Sequence, residues 1–330
     1  MVAGGIATLV DGRAFPMFGV LFGYGVARIA ARQCEQGVSR RSVRWLLWRR
    51  SLVLVVLGFL DAMLFYIGDI LGAYGVLLFV GVWVLRWKDR WILLAALFLV
   101  ILTALPNAGS MAISADPPDI SMLPPNFLDG LQARLPVQPV IALPGLIGFA
   151  CPFLVGIWAG RRRVLERPEQ YKGLLGATAA IGIGAGIVGA LPVSLWIAEV
   201  THKPQADLFG PLHDATGTLG GFGYAALIAL IAIKLKNHPG RITLAIAAVG
   251  QRSLTCYLTQ SVVWTVAFTP YLAGLADNLS VTAAALLATA TWLLTVLPAD
   301  QLRRAEYQGP FEILIRRITY NRPVEAVTVK

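Results

Sequence analysis

The stretch GLLGATAAIGIGAGIVGALPVSLWIA runs from Gly173 to Ala198 without a single charged residue. As an α-helix it measures about 39 Å, which is enough to cross about 30 Å of hydrocarbon. Backbone polar groups find no water inside a bilayer, so a segment that crosses it must satisfy them internally as a helix. This stretch therefore predicts a transmembrane helix.

Similar apolar blocks recur along the whole chain, which is 57% hydrophobic and 14% charged. Soluble domains usually contain about 25% charged residues, and transmembrane barrels show alternating segments that this sequence lacks. We predict an all-α, polytopic transmembrane helix bundle that forms a single domain over residues 1–330. The nine predicted spans are residues 14–32, 51–66, 70–85, 91–105, 140–160, 173–198, 217–233, 242–268 and 279–297.

Basic residues are concentrated in alternate connections between these spans. Of the 28 Lys and Arg residues, 22 lie in residues 33–50, 86–90, 161–172, 234–241 and 298–330. The intervening connections contain only Arg13, Arg134 and Lys203. Short cytoplasmic loops are enriched in Lys and Arg, so we predict an outside N-terminus and a cytoplasmic C-terminus. Topology and contact with anionic membrane lipids explain the net charge of +10, and we therefore expect no nucleic-acid partner.

The predicted loops differ in composition. Residues 106–138 are rich in proline, which opposes regular helix and favours an extracytoplasmic flap. Residues 199–216 form a second extracytoplasmic loop that holds His202 and His213, and we expect both histidines to be solvated there. In the cytoplasmic tail, residues 298–330, apolar residues of the segment 311–318 share one helical face beside two arginines, which predicts a short interfacial helix.

Glycines recur at helical spacing inside several spans. Within Gly182–Gly186 and Gly189, the residues Gly184, Gly186 and Gly189 formally match a dinucleotide-binding fingerprint, but no strand precedes them. The same region and the pairs Gly19/Gly23 and Gly156/Gly160 have GxxxG spacing, which favours close helix packing instead. The sequence contains no cluster of metal ligands, and its three cysteines lie outside the predicted outer loops, so we expect neither a metal site nor a disulfide.

Charged residues inside predicted spans are costly in lipid and are therefore candidates for function. Asp61 interrupts the second span, and Asp69 precedes the third, where it serves either in function or as a cap of the next helix. Asp61 and Arg252 each lie 11 residues from the cytoplasmic end of their span, so we predict a buried ion pair between them. The predicted intramembrane polar site consists of Asp61, Gln251, Arg252, Thr255, Tyr257 and Gln260.

Four stretches resemble the YeiB-like family of bacterial membrane proteins of unknown function. They are FPMFGVLFGYG (Phe15 to Gly25), GDILGAYG (Gly68 to Gly75), GQRSLTCYLTQS (Gly250 to Ser261) and GPFEILIRRITY (Gly309 to Tyr320). The family often has His where Asp61 stands and a GRMALTNY-like string where GQRSLTCY stands. Relatives begin with an additional helix that runs outward, and we expect this helix to be absent here. The groove that it would fill is then open, filled by lipid or occupied by a neighbouring copy in a homo-oligomer.

The family is distantly similar to transmembrane acyltransferases such as heparan glucosamine N-acetyltransferase. The resemblance implies a multi-pass protein of the bacterial plasma (inner) membrane that takes an acyl group from cytoplasmic acyl-CoA. The acceptor would be an extracytoplasmic, cell-surface glycan or lipid. We expect Asp69 to act as general base, aided by His202 or His213, and the candidate residues for holding the coenzyme phosphates are Arg40, Arg41 and Arg44. The alternatives are a transporter or lipid-binding membrane protein, and a non-catalytic membrane subunit.

Overall fold

The protein is α-helical in the computed structural model, which describes residues 2–106, 118–202, 206–236, 238–276 and 278–320. No strand occurs among these residues. The helices are α1 (Val2–Leu9), α2 (Ala14–Glu35), α3 (Arg40–Leu64), α4 (Leu71–Val84), α5 (Asp89–Ala104), α6 (Phe127–Arg161), α7 (Lys172–Ile197), α8 (Ala206–Leu235), α9 (Arg241–Gln251), α10 (Ser253–Phe268), α11 (Val281–Arg304) and α12 (Pro310–Tyr320).

Several helical segments have the length and composition of membrane spans. The segments Val2–Glu35, Pro168–Ile197, Leu208–Leu235 and Val281–Arg304 are long and apolar enough to cross a bilayer, and shorter apolar helices accompany them. Large apolar side chains point outward, among them Ile181 (70% exposed) and Val188 (66%). Extended apolar surface of this kind is unfavourable in water but suits contact with lipid. The predicted helical membrane protein is confirmed, whereas the count of nine spans and the orientation of the termini stay predictions.

Two compact units account for the described residues. The first unit comprises those up to Arg44, those from Leu77 to 106 and those from Leu143 to Lys234. The second unit comprises those from Trp45 to Val76, from 118 to Ala142 and from Leu235 to Tyr320.

Glycines bring the helices of the first unit into backbone contact. A Cβ atom on Gly23 would overlap the carbonyl oxygen of Phe153, and one on Gly156 would overlap that of Val20. A Cβ on Gly182 would likewise overlap the carbonyl oxygen of Leu219. Helices without side chains at their contact pack more closely than others, which adds dispersion energy where lipid supplies no hydrophobic drive. The interpretation of these glycines as packing positions is confirmed.

Helix α6 begins at Phe127, well before the predicted span that starts at residue 140. The Asn126 side-chain oxygen accepts the Asp129 amide N–H at 2.9 Å, and the Asn126 amide group donates to the Asp129 carboxylate at 2.7 Å. The first bond satisfies one of the backbone amides that the first turn of a helix leaves free, and the second holds the Asn126 side chain in place. Residues 127–138 of the predicted flap are therefore helical, and α8 similarly begins at Ala206 rather than at residue 217.

The predicted eighth span, residues 242–268, is wrong as a continuous helix. Helix α9 ends at Gln251, and α10 begins at Ser253 after Arg252 leaves the helical conformation at φ −119° and ψ 30°. Helix α9 exposes Ile242 (78%) and Ile246 (49%) while Ala248 is buried. An amphipathic helix of this kind suits a membrane interface better than the bilayer interior.

The orientation prediction can be tested with single cysteines at two exposed positions. We expect Ile120→Cys to react with an impermeant thiol reagent from the outside and Leu165→Cys only from the cytoplasm, because basic loops stay inside. Both native side chains are exposed, at 56% and 38%. Cys34, which is exposed in the last turn of α2 and belongs to the basic residues 33–50, serves as an internal marker of the predicted cytoplasmic side. Labelling of residues 120 and 165 from one side would contradict the predicted topology.

Candidate functional site

Asp61 is a carboxyl group buried within α3, with 2% of its surface exposed. Its Oδ2 accepts a hydrogen bond from the Ser261 hydroxyl of α10 at 3.0 Å. Its Oδ1 is also buried but has no hydrogen-bond partner among the described residues. A buried acceptor without a partner costs about 1–3 kcal/mol. Such a group therefore needs an explanation beyond packing.

The predicted ion pair between Asp61 and Arg252 is wrong. The Arg252 guanidinium donates through Nε to the carbonyl oxygen of Tyr307 at 3.1 Å, through Nη2 to the same oxygen, and through Nη1 to that of Ala248 at 3.2 Å. The prediction assumed a continuous helix through residue 252, with both charges at one depth. Because the helix breaks at Arg252, the guanidinium turns to carbonyl groups near the break, and Asp61 pairs with Ser261 instead.

Asp69 caps α4, as one of the two interpretations of the sequence held. Its Oδ2 accepts the amide N–H of Gly72 at 2.9 Å, and its Oδ1 accepts the hydroxyl of Tyr257 at 3.0 Å. Burial raises the pKa of the Asp69 carboxyl above its ordinary value, although these hydrogen bonds oppose the rise. The second unit thus contains two carboxyls that contact α10, the buried Asp61 through Ser261 and the half-buried Asp69 through Tyr257.

An apolar cavity of about 460 Å³ lies in the second unit. Two of its lining residues, Phe65 and Thr265, follow Asp61 and Ser261 by one helical turn. The Thr265 hydroxyl donates to the Ser261 carbonyl oxygen at 2.8 Å. The cavity therefore begins about one helical turn from Asp61 and Ser261, which are not themselves among its lining residues. Its apolar and aromatic lining includes Phe65, Tyr66, Met122, Leu123, Trp264 and Phe268.

Arg134 is a structural residue of this region that the sequence did not single out. It is 4% exposed, and its guanidinium donates to the carbonyl oxygens of Ser121 (Nε, 2.9 Å) and Met63 (Nη1, 3.0 Å). Arg134 thus ties α6 to the end of α3 and to the segment that supplies Met122 and Leu123 to the cavity. The sequence feature that could have identified Arg134 is its position as the single charged residue in the stretch LQARLPV.

His213 is not solvated, contrary to the prediction. It lies in α8 in the first unit with 1% exposure, and its Nε2 is 3.1 Å from the Ala7 carbonyl oxygen and 3.3 Å from Arg13 Nη1. Arg13, which was counted only as a loop charge, is itself 2% exposed and donates to the Gly186 carbonyl oxygen at 2.6 Å. Asp69 belongs to the other unit, and His202 is exposed. Catalytic roles for the two histidines stay predictions.

The remaining residues that the sequence suggested for function lie on three different helices, α3, α9 and α10. Arg40 and Arg41 are exposed at the start of α3, where Arg44 is half-buried. Gln251 is exposed and Gln260 half-buried, whereas Thr255 forms hydrogen bonds to Glu312 of α12. Two residues of the predicted intramembrane polar site form hydrogen bonds between helices. Asp61 bonds to Ser261 of α10, and Tyr257 of α10 bonds to Asp69, which precedes α4. The structure does not join Arg252 to either acid.

Three of the four sequence stretches that suggested a family meet through these contacts. Tyr257 of GQRSLTCYLTQS binds Asp69 of GDILGAYG, and Thr255 of the same stretch binds Glu312 of GPFEILIRRITY. A family model described as a protein of unknown function, DUF418, matches residues 159–322. The chain is similar to the YeiB-like family.

Two bacterial relatives of this YeiB-like chain match over most of their length. The uncharacterized protein YxaH of Bacillus subtilis (strain 168) is 26% identical, over 92% of this chain and 78% of the relative. The uncharacterized protein YeiB of Escherichia coli (strain K12) is 27% identical, over 92% of this chain and 80% of the relative. No solved structure matches the YeiB-like chain.

Proposed function

We propose that this YeiB-like protein is an acyl-handling enzyme of the bacterial inner membrane, with an acyl chain bound in the cavity of the second unit. The observation that carries the proposal is the apolar cavity next to the helical turn of Asp61 and Ser261. Binding sites for small molecules are typically apolar and contain a few well-placed polar groups. An acyl chain matches the aromatic and aliphatic lining, and its polar end matches the neighbouring carboxyl.

The proposed reaction transfers the acyl group from a coenzyme A thioester to a hydroxyl group of an extracytoplasmic glycan or lipid. The acceptor oxygen attacks the thioester carbonyl carbon, so that a C–O bond forms and the C–S bond breaks. Asp61 takes the hydroxyl proton on its unpartnered Oδ1 and returns it to the departing thiolate. Asp69 keeps Tyr257 and α10 in place.

A second candidate function is lipid binding without chemistry. The same cavity supports it, because the apolar lining alone suffices for a hydrocarbon chain. The two functions differ in whether a thioester is cleaved.

Palmitoyl-CoA and octyl glucoside are suitable probes for purified protein in nanodiscs. We expect release of the coenzyme thiol together with a palmitoylated glucoside detected by mass spectrometry. The assay should use a Cys34→Ser background, because the exposed Cys34 thiol would consume the thiol reagent. Binding of palmitoyl-CoA without thiol release would support the lipid-binding alternative. If the protein shows no binding of palmitoyl-CoA and no release of thiol, both proposed functions are contradicted.

Filling the cavity should impair the handling of long acyl chains selectively. We expect Thr265→Phe to weaken palmitoyl-CoA use about tenfold and to leave acetyl-CoA use nearly unchanged, because the new ring occupies the space of the chain. Val262→Phe is the matched control on the same helix, since Val262 is 40% exposed and does not line the cavity. Kinetics with acyl chains of increasing length measure the effect. Equal losses for all chain lengths, or for both variants, would contradict the assignment of the cavity.

A further inference from the structure

Helix α10 receives the cap of its first turn from a distant part of the chain. The Glu312 carboxylate of α12 accepts the amide N–H groups of Leu254 (2.8 Å) and Thr255 (3.1 Å) through Oε1. Its Oε2 accepts the Thr255 hydroxyl. The first amides of a helix have no partner within the helix, and a negative charge there is favoured by the helix dipole. Glu312 therefore provides hydrogen-bond acceptors for the free amides of α10 and a negative charge at the positive end of its dipole.

Three further residues contribute to the contact between α12 and the start of α10. A Cβ atom on Gly309 would overlap the Glu312 carboxylate and lie 2.5 Å from the Thr255 hydroxyl oxygen, so a larger residue here would displace these side chains from their contact. The Arg252 guanidinium, at the residue before α10, donates to the carbonyl oxygen of Tyr307. We call these five residues, Arg252, Thr255, Tyr307, Gly309 and Glu312, the α10 clamp.

The clamped helix is also the helix that carries the proposed site. Tyr257, Ser261 and Thr265 lie on one face of α10 at intervals of four residues. Tyr257 binds Asp69, Ser261 binds Asp61, and Thr265 lines the cavity. A rotation or shift of α10 would therefore change all three interactions together.

We infer that Glu312 is a positioning residue, through which the C-terminal helix α12 holds the polar face of α10 against the two carboxyls and the cavity. The inference rests on the proposed function for its biological meaning, because it assigns α12 to the support of the acyl site. Its physical content, the coupling of Glu312 to the polar face of α10, is independent of any activity.

Cysteine reactivity reports on this coupling at both ends of α10. Cys256 is 7% exposed and follows the clamp, and a Thr265→Cys substitution places a thiol at the cavity. Cys256 is measured after Cys34→Ser and Cys151→Ser, and Thr265→Cys in a background that also contains Cys256→Ser. We expect Glu312→Ala to raise the labelling rate of Cys256 about fivefold to thirtyfold, as loss of one or two kcal/mol of local stability implies. Labelling of Thr265→Cys should change at least about threefold.

Control variants separate the clamp from general destabilisation. Glu312→Gln retains a carbonyl acceptor for the two amides and should restore most of the protection of both thiols. Glu306→Ala removes an exposed carboxylate from the same segment and should leave both rates unchanged. If Glu312→Ala does not accumulate, Thr255→Val is expected to give a smaller change in the same direction, because it removes the hydroxyl that donates to Glu312 and accepts the Phe311 amide N–H but keeps the two backbone amide bonds to Glu312.

The labelling results test the positioning role of Glu312 independently of the proposed function. A change at Cys256 without a change at Thr265→Cys shows fraying of one turn only and overturns the positioning role, as does no change at either thiol. Changes at both thiols, reversed by Glu312→Gln, support it. Failure of the wild-type protein to bind or cleave palmitoyl-CoA overturns the proposed function and leaves the labelling result intact.

Discussion

Replacement of Gly23 by alanine is expected to abolish accumulation of the folded protein, whereas the same change at Gly25 should be harmless. The new methyl group at residue 23 would overlap the Phe153 carbonyl oxygen and lie 3.1 Å from the Ile157 backbone nitrogen. These atoms belong to the backbone of α6 and cannot rotate away as a flexible side chain would. Overpacking usually costs about 1–3 kcal/mol, and a clash of two backbones belongs at or above the upper end of this range.

Gly25 is a matched control because it occupies the same helix two residues later. A Cβ atom there has no neighbour within 4 Å. Alanine is favoured over glycine in a helix by about 1 kcal/mol, so Gly25→Ala should be neutral or slightly stabilising. Thermal unfolding followed by size-exclusion chromatography in detergent measures both variants. A Gly23→Ala protein that is as stable as wild type would show that α2 and α6 do not make this contact.

Glycine spacing and capping explain how much of the fold was predictable from sequence. GxxxG spacing places small residues on one helix face whatever the neighbouring helix is, so Gly23, Gly156 and Gly182 were identified as packing positions. The capping role of Asp69 was predictable for the same reason, because it depends on residues three positions apart. The cap of α10 by Glu312 was not predictable, since its partners are more than 50 residues away and no local pattern marks them.

The break at Arg252 accounts for the main error about the candidate site. The depth of a residue in a span follows from counting, but a counted depth holds only while the helix continues. Gly250 lowers helix propensity beside the break, yet no proline marks it. The prediction could therefore identify Asp61 and Arg252 as unusual residues without identifying their partners. Likewise, the burial of His213 against Arg13 arises from contacts between distant segments, which composition cannot reveal.

Substitution of Asp61 is expected to separate activity from stability. Asp61→Asn removes the proposed proton acceptor, so acyl transfer should fall about 100-fold or more, the usual contribution of general base catalysis. Asp61→Leu should abolish transfer as well, while its thermal stability is equal to or above that of wild type. The reason is that the wild-type protein buries Oδ1 without a partner, a cost that an apolar side chain of the same branching does not have.

The stability of Asp61→Leu also depends on whether the Ser261 hydroxyl finds another hydrogen-bond partner. When Asp61 is replaced by leucine, the hydroxyl loses its acceptor but can donate to the carbonyl oxygen one turn earlier in α10, as Thr265 already does to Ser261. Transfer is measured by thiol release in the Cys34→Ser background, and stability by thermal unfolding of the same samples. A conserved transfer rate in Asp61→Asn would eliminate Asp61 as the base. A large loss of stability in Asp61→Leu would instead mean that the carboxyl serves the packing of α3 against α10, because residues retained for function at a cost to stability become more stable when replaced.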